Sequence, residues 1–141
     1  MKVARAESYT TQVMLSTRLA AELGEPHSTL RAVTRRNNSA VVICAGGEID
    51  AANEHTWRRL VREAAAIATA PGPFVVDIND VAFMGCCAFA ALADEAQRCR
   101  RRGVELRVVS LDPGVQRVVD ACGLSGVLPL HPTVESALTA S

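Results

Sequence analysis

The sequence has no excess of charge of either sign and few aromatic residues. Lys and Arg total 15, Asp and Glu also total 15, and aromatic residues make up 4% of the 141 residues. Proteins that bind nucleic acid or an anionic membrane surface carry a basic face, so this balance predicts neither partner. With so few aromatic rings, Ala, Val and Leu must build most of the core of a single domain.

Long apolar runs and targeting signals are also missing. No stretch approaches the roughly 20 apolar residues of a transmembrane helix, and the N-terminus has neither the apolar segment nor the cleavage site of a signal peptide. We therefore expect a cytoplasmic protein, in which cysteines are mostly reduced. The five cysteines are Cys44, Cys86, Cys87, Cys99 and Cys122.

The sequence contains none of the common catalytic or metal-binding motifs. It has no Cys-x-x-Cys, and His27, His55 and His131 are isolated from one another, so we expect no metal site. It has no glycine-rich dinucleotide motif and no P-loop. Cys87 as a nucleophile would need a base, and no histidine lies in a converging motif. We expect a protein that is not an enzyme and uses no cofactor.

From residue 28 to 141, strand and helix patterns follow one another regularly. Residues 29–35 and 40–45 predict an antiparallel hairpin. Apolar residues at helical spacing then predict helices near 53–69, 87–102, 113–122 and 133–140. Apolar runs between them predict strands at 74–78, 104–109 and 127–130. This order predicts an α/β fold, a mixed β-sheet with helices packed mainly on one face.

Residues 1–27 form an N-terminal extension with a different pattern. Val13, Met14, Leu19 and Leu23 recur near helical spacing, and Gly24-Glu25-Pro26 ends the pattern. Two interpretations are open: a short helix that packs on the domain or dimerises, and a weakly tethered arm.

The segment from Val75 to Phe89 is the most informative part of the chain. An apolar strand is predicted to stop at a polar turn, and the chain then enters a helix through Cys86 and Cys87. Backbone N–H groups and the positive end of the helix dipole face outward at such a turn, so its side chains are presented to partners.

Several motifs, in their order and spacing, resemble the STAS domain, and specifically the bacterial anti-sigma factor antagonists. Gly47-Glu48-Ile49-Asp50 resembles the end of the family's second strand, and residues 75–84 resemble its central strand and the following turn. Residues 103–109 and 113–124 resemble its fourth strand and third helix. The resemblance covers residues 28–140 and implies the STAS fold, an anti-sigma factor related to protein kinases as the partner, and release of a sigma factor.

The chain departs from the family at the phosphorylation switch. Phosphorylated members read Asp-Ser-Ser/Thr-Gly, where this chain reads Gly85-Cys86-Cys87-Ala88, so the phosphoacceptor position falls on Cys87. No Ser or Thr occurs between Thr69 and Ser110. We therefore expect no phosphorylation here, and two mechanisms remain open: a constitutive antagonist, and control by thiol oxidation.

Thiol control would need a second cysteine. A bond between the adjacent Cys86 and Cys87 would be strained, and Cys99 lies about 18 Å along the same helix at ~1.5 Å per residue. Cys122 is therefore the predicted partner of Cys86 or Cys87. The alternative is that the cysteines only replace Ser and Thr by size, as small apolar residues. Cys44, in a strand, is predicted to lie in the core.

The family resemblance also predicts the binding surface. We expect the partner to contact Asp50, Gly85, Cys86, Cys87 and Phe89, with the start of the helix near residue 113 alongside. Asp50 has an equally good interpretation as a turn residue before the first helix, and Trp57 is expected in the core. A homodimer is a further assembly that the sequence leaves open. The alternative function is a non-phosphorylated STAS module that binds a small ligand or serves a transport or lipid-transfer complex.

Overall fold

The computed structural model describes residues 10–12, 15–26 and 28–140. Its strands form one six-stranded sheet whose spatial order follows the sequence. The first three strands are antiparallel neighbours, and the third to the sixth run parallel. The strands are β1 Thr10–Gln12, β2 Leu30–Asn37, β3 Ala40–Ile49, β4 Phe74–Met84, β5 Leu106–Val109 and β6 Leu130–His131.

Helices connect the parallel strands, as βαβ crossovers require. The four helices predicted after residue 50 are confirmed to within two residues at each end. No helix in the described ranges is both long and apolar enough to cross a membrane. The helices are α1 Thr17–Leu23, α2 Glu54–Ile67, α3 Cys86–Arg101, α4 Pro113–Ala121 and α5 Val134–Thr139.

Most helices pack on one face of the sheet, as predicted. The main core joins fully buried residues of the sheet, such as Phe74, to residues of α1 to α4, such as Trp57 and Leu92. The burial predicted for Trp57 is therefore confirmed. A second, smaller cluster lies on the opposite face, where Ala137 of α5 covers Val42, Val75 and Val109.

The predicted ends of the central strands are wrong. β3 was expected to end at Ala45 and β4 at Ile78, yet their pairing continues to Ile49 and Met84. The register of β3 against β4 shifts twice, between Cys44 and Gly46 and between Gly47 and Glu48. Bulges of this kind let the pairing continue past Ala45 through Gly46, Gly47 and Glu48. Gly47 has φ 91°, and a Cβ there would collide with the Thr29 carbonyl oxygen, so this position requires glycine. The extension places Ile49 beside the start of α3.

The last two strands are shorter than predicted. β5 begins at Leu106 instead of residue 104, and β6 is Leu130–His131 instead of 127–130. Residues 124–128 form a turn, in which the backbone N–H of Val127 donates to the Leu124 carbonyl. The apolar run at 127–130 includes residues of this turn, so the run alone does not show which residues pair in β6.

The N-terminal extension packs on α2 where it is described. Leu19 is fully buried, and the backbone N–H and hydroxyl of Ser16 donate to the Glu63 carboxylate at 2.8 and 2.7 Å. The Arg59 guanidinium donates to Glu22 at 2.7 Å. Val13 and Met14, which contributed to the helical pattern, lie outside the described residues.

Candidate functional site

The turn between β4 and α3 is anchored to the sheet through its backbone. The N–H of Gly85 donates to the carbonyl of Ile49 at 3.0 Å, and its own carbonyl accepts from the Ala88 N–H at 3.0 Å. Gly85 is the N-cap of α3 and supplies no side-chain cap. Cys86 and Cys87 therefore form the first turn of a helix whose leading N–H groups are not capped by a side chain, and both cysteines are exposed.

The structure brings Cys86 and Cys122 together. Cys122 is the C-cap of α4 and is exposed, and Cys86 is close enough to influence its pKa. Partial desolvation, and then the neighbouring Cys86 thiol, raise the pKa of Cys122. Of the two helix-start cysteines, Cys86 is therefore the one that influences Cys122.

The other two cysteines lie away from this turn. Cys99 is fully buried on α3, and burial, followed by the charge of Glu95, raises the pKa of its thiol to about 11. The prediction that Cys44 lies in the core is wrong, since it is exposed on the sheet face opposite α1 to α4. Its pKa is raised by partial burial and by Asp77. Alternation along β3 puts Cys44 on that face, and α5 does not extend over it.

Asp50 organises the turn that leads into α2. Its Oδ1 accepts from the Ala52 N–H at 2.9 Å, while its own N–H donates to Asn53 Oδ1 at 2.9 Å. Asn53 is the N-cap of α2, but its amide donates to the Glu48 carbonyl and its side chain does not cap the helix. The side chain of Asp50 thus serves the turn and remains half-buried, and Asp50 directly follows the anchored Ile49.

Phe89 differs from its predicted exposure. It is 2% exposed, because it lies three residues before Leu92 on the buried stripe of α3. The exposed aromatic ring beside the turn is that of Phe83, which is 55% exposed. The helical spacing of Phe89, Leu92 and Ala96 was the signal in the sequence that could have identified Phe89 as a core residue.

Trp57 supports the start of α3 from below. Its indole N–H donates to the carbonyl of Ala88 at 3.1 Å, in the first turn of that helix. The indole is fully buried, so this hydrogen bond is shielded from water. It links α2 to the turn that carries Cys86 and Cys87.

A groove of about 190 Å³ opens beside the turn, between the end of β4 and the start of α4. Most of its lining residues are apolar, although its surface is almost evenly polar and apolar. The sequence did not identify it, because its walls come from segments far apart in the chain. Its lining includes Ile78, Met84, Phe89, Val115 and Val118, together with Phe83, Asn79, Ser110 and Asp112. The described residues contain no group of three or more His, Cys, Asp or Glu side chains placed to hold a metal ion.

Comparison with known proteins gives a consistent result. The model of the STAS domain family matches residues 31–137. A Mycobacterium tuberculosis protein provisionally named an anti-anti-sigma factor is 64% identical over 124 residues, which cover 88% of this chain and 84% of that protein. The anti-sigma-F factor antagonist RsfA of the same species is 60% identical over 114 residues, 81% of this chain and 89% of RsfA.

A solved structure shows the same architecture. The crystal structure of an anti-sigma factor antagonist from Mycobacterium paratuberculosis superposes with a TM-score of 0.70 at 26% identity. The match covers 84% of this chain and 97% of that chain. The sheet and helices that position the Gly85–Cys87 turn are therefore shared with an antagonist of known structure.

Proposed function

The chain belongs to the STAS domain family, and we propose that it is an anti-sigma factor antagonist, which binds an anti-sigma factor and so releases a sigma factor. The observation that carries this proposal is the 60% identity to a protein named as an anti-sigma-F factor antagonist, over 89% of that protein. The exposed turn at Gly85, Cys86 and Cys87 supplies a surface where such a partner would dock.

The proposed antagonist is not controlled by phosphate at the usual position. Cys87 occupies the phosphoacceptor position and offers a thiol where a kinase would need a hydroxyl. Incubation with an anti-sigma factor kinase and ATP should leave the peptide 83–92 unmodified, as read by mass spectrometry. A phosphorylated wild-type peptide would contradict this part of the proposal.

Control by oxidation of Cys86 and Cys122 takes the place of phosphorylation. Cys86 is the cysteine that raises the pKa of Cys122, which makes it the candidate partner, and a disulfide between them needs their Cα atoms within about 7 Å. A low-molecular-weight disulfide is the oxidant: the two cysteines lose two protons and two electrons, a Cys86–Cys122 bond forms, and the oxidant is reduced to two thiols. The bond would join the start of α3 to the end of α4 and change the surface between them.

The test is capture of the anti-sigma factor from native cells, with this protein as bait. Wild type should capture it strongly with reductant and weakly after oxidation, whereas Cys122→Ser should capture it equally in both conditions. Cys99→Ala is the matched control, because its thiol is buried away from the turn, and it should respond as wild type does. Equal capture by wild type in both conditions would leave a constitutive antagonist, and capture of no anti-sigma factor in either would overturn the function.

The alternative function, a module for a small ligand or a transport complex, has less support at this site. The groove beside the turn measures about 190 Å³, whereas sites for drug-sized ligands are usually about 300–1,000 Å³. The space suits a protein side chain better than a nucleotide.

A further inference from the structure

Two of the three large apolar side chains that are exposed in the described ranges stand at the same groove. Phe83 is 55% exposed and Leu111 is 69% exposed, whereas the third, Val33, is 43% exposed and belongs to β2. Phe83 lines the groove, and Leu111 stands between Ser110 and Asp112, which also line it. A single exposed apolar side chain is ordinary, but a pair that flanks an apolar groove marks an interaction surface.

The backbone that carries the two side chains is held in place before any partner arrives. The backbone N–H of Leu111 donates to Asn79 Oδ1 at 2.8 Å, which ties the loop before α4 to β4. Phe83 lies near the end of the β3–β4 pairing, where its backbone is opposite Glu48. A preorganised apolar pair loses little conformational entropy on binding, which favours its use as an anchor.

The charge at the groove indicates what it would receive. Among the described residues that line it, Asp112 carries the one charge, and no Lys or Arg is present. An anionic headgroup or a phosphate would therefore meet a carboxylate and no cation. An apolar side chain with a Lys or Arg beside it would fill the groove and pair with Asp112.

We propose that this groove receives an apolar side chain of the anti-sigma factor, that Phe83 and Leu111 pack on either side of it, and that Asp112 pairs with a neighbouring basic residue of that protein. The proposal rests on the proposed function and identifies the part of the surface that supplies most of the affinity. Phe89, Val115 and Val118 form the walls of the groove, so a Cys86–Cys122 bond between α3 and α4 would act on the same walls.

The apolar part is tested by measuring the affinity of the purified, captured anti-sigma factor for single variants under reducing conditions. Phe83→Ala and Leu111→Ala should each weaken binding about tenfold or more, as anchor residues do. Val33→Ala is the matched control, an exposed apolar residue on another part of the sheet, and should bind as wild type does. Equal thermal unfolding of all three variants would show that the domain remains folded.

The charged part has its own pair of variants. Asp112→Asn removes the charge but keeps an oxygen that can accept from the Gly114 N–H, the bond that caps α4 at 2.8 Å. It should weaken binding and reduce its dependence on salt concentration. Asp120→Asn removes the same charge from the same helix outside the groove lining, and its binding and salt dependence should match those of wild type.

The outcomes separate this proposal from the function on which it rests. Failure of wild type to bind the anti-sigma factor would overturn both. Wild-type binding with unchanged affinity in Phe83→Ala and Leu111→Ala would overturn the groove proposal and leave the function standing. A change in oligomeric state in those variants, with partner affinity retained, would assign the groove to a second copy of this chain and also overturn the proposal.

Discussion

The two ends of helix α3 are built in opposite ways. At its start, Gly85 provides no side-chain cap, two thiols are exposed, and a groove opens alongside. At its end, Cys99 is fully buried, and the Arg102 guanidinium donates to the carbonyls of Ala65 and Ala68 at 3.0 and 2.6 Å. One end is left available to other molecules, while the other is used to hold α2 and α3 together.

The arginines at the end of α3 illustrate the difference. Four arginines, from Arg98 to Arg102, suggest a cluster that favours the helix C-terminus through its dipole. In the structure Arg102 bonds to the last carbonyls of α2, the neighbouring helix. At the end of α3, the Arg102 side chain makes hydrogen bonds to a neighbouring helix. At the start of α3, no side chain caps the backbone N–H groups, and such departures from local preference are common at functional sites.

The largest effect on partner binding is expected from a charge at the start of α3, where Cys86 and Cys87 are exposed. Cys87→Glu places a carboxylate at the position that we propose as equivalent to the phosphoacceptor. It should weaken binding of the anti-sigma factor about tenfold or more, since like-charge or desolvation costs at an interface reach several kcal/mol. Cys87→Gln, which has nearly the same shape without the charge, should bind much more tightly than Cys87→Glu. Similar affinities of Glu and Gln variants, measured by calorimetry, would place the interface elsewhere.

At the C-terminal end of α3, the expected effect is on the stability of the fold. Arg102→Ala removes two charge-assisted hydrogen bonds to α2 and should lower the free energy of unfolding by about 1–2 kcal/mol, because these bonds are only partly buried. Partner affinity should not change. Arg101→Ala, an exposed neighbour, is the control, and equal urea midpoints for the two variants would show that the bonds of Arg102 contribute nothing measurable.

The thiols at the two ends should differ in reactivity and in their response to pH. At neutral pH a thiol reagent should modify the exposed Cys86 and Cys87 in the native protein, and Cys99 only after unfolding. Burial raises the pKa of Cys99 from 9.0 to about 11, so the folded state disfavours its thiolate. The stability that depends on the neutral thiol is therefore fully present below pH 9 and is lost as pH rises towards 11.

Denaturant midpoints of wild type and Cys99→Ala across this range provide the check. The wild-type midpoint should fall more steeply between pH 9 and 11 than that of the variant. Parallel curves would show that Cys99 does not titrate differently in the folded and unfolded states.

The smallest effect on stability is expected from adding a side-chain cap to the N-terminus of α3. A Cβ on Gly85 would meet no atom closer than 3.8 Å, so Gly85→Asp fits without strain and should cap α3. The expected gain in the free energy of unfolding is a few tenths of a kcal/mol, the usual difference between Asp and Gly at an N-cap. Gly85→Ala is the control and should be less stable than Gly85→Asp; the reverse order would mean that the Asp side chain makes no cap.

The sequence by itself determined the parts of this protein that depend on local order. Helical spacing predicted α2 to α5, and at the start of α4 the local chemistry is visible in the structure, where Asp112 Oδ1 accepts from the Gly114 N–H. The absence of Ser and Thr between Thr69 and Ser110 also excluded the usual phosphoacceptor without any structure. These features rest on chemistry within a few residues of chain.

Tertiary structure alone decided which side chains meet and which are exposed. The influence of Cys86 on Cys122, the groove beside Phe83 and the exposure of Cys44 all depend on how α3, α4 and α5 cover the sheet. Residues 36 positions apart, such as these two cysteines, leave no periodic signal in the sequence. The parallel order of β4 and β5 places the starts of α3 and α4 at the same edge of the sheet, and the packing of the two helices on the sheet then decides which of their side chains are neighbours.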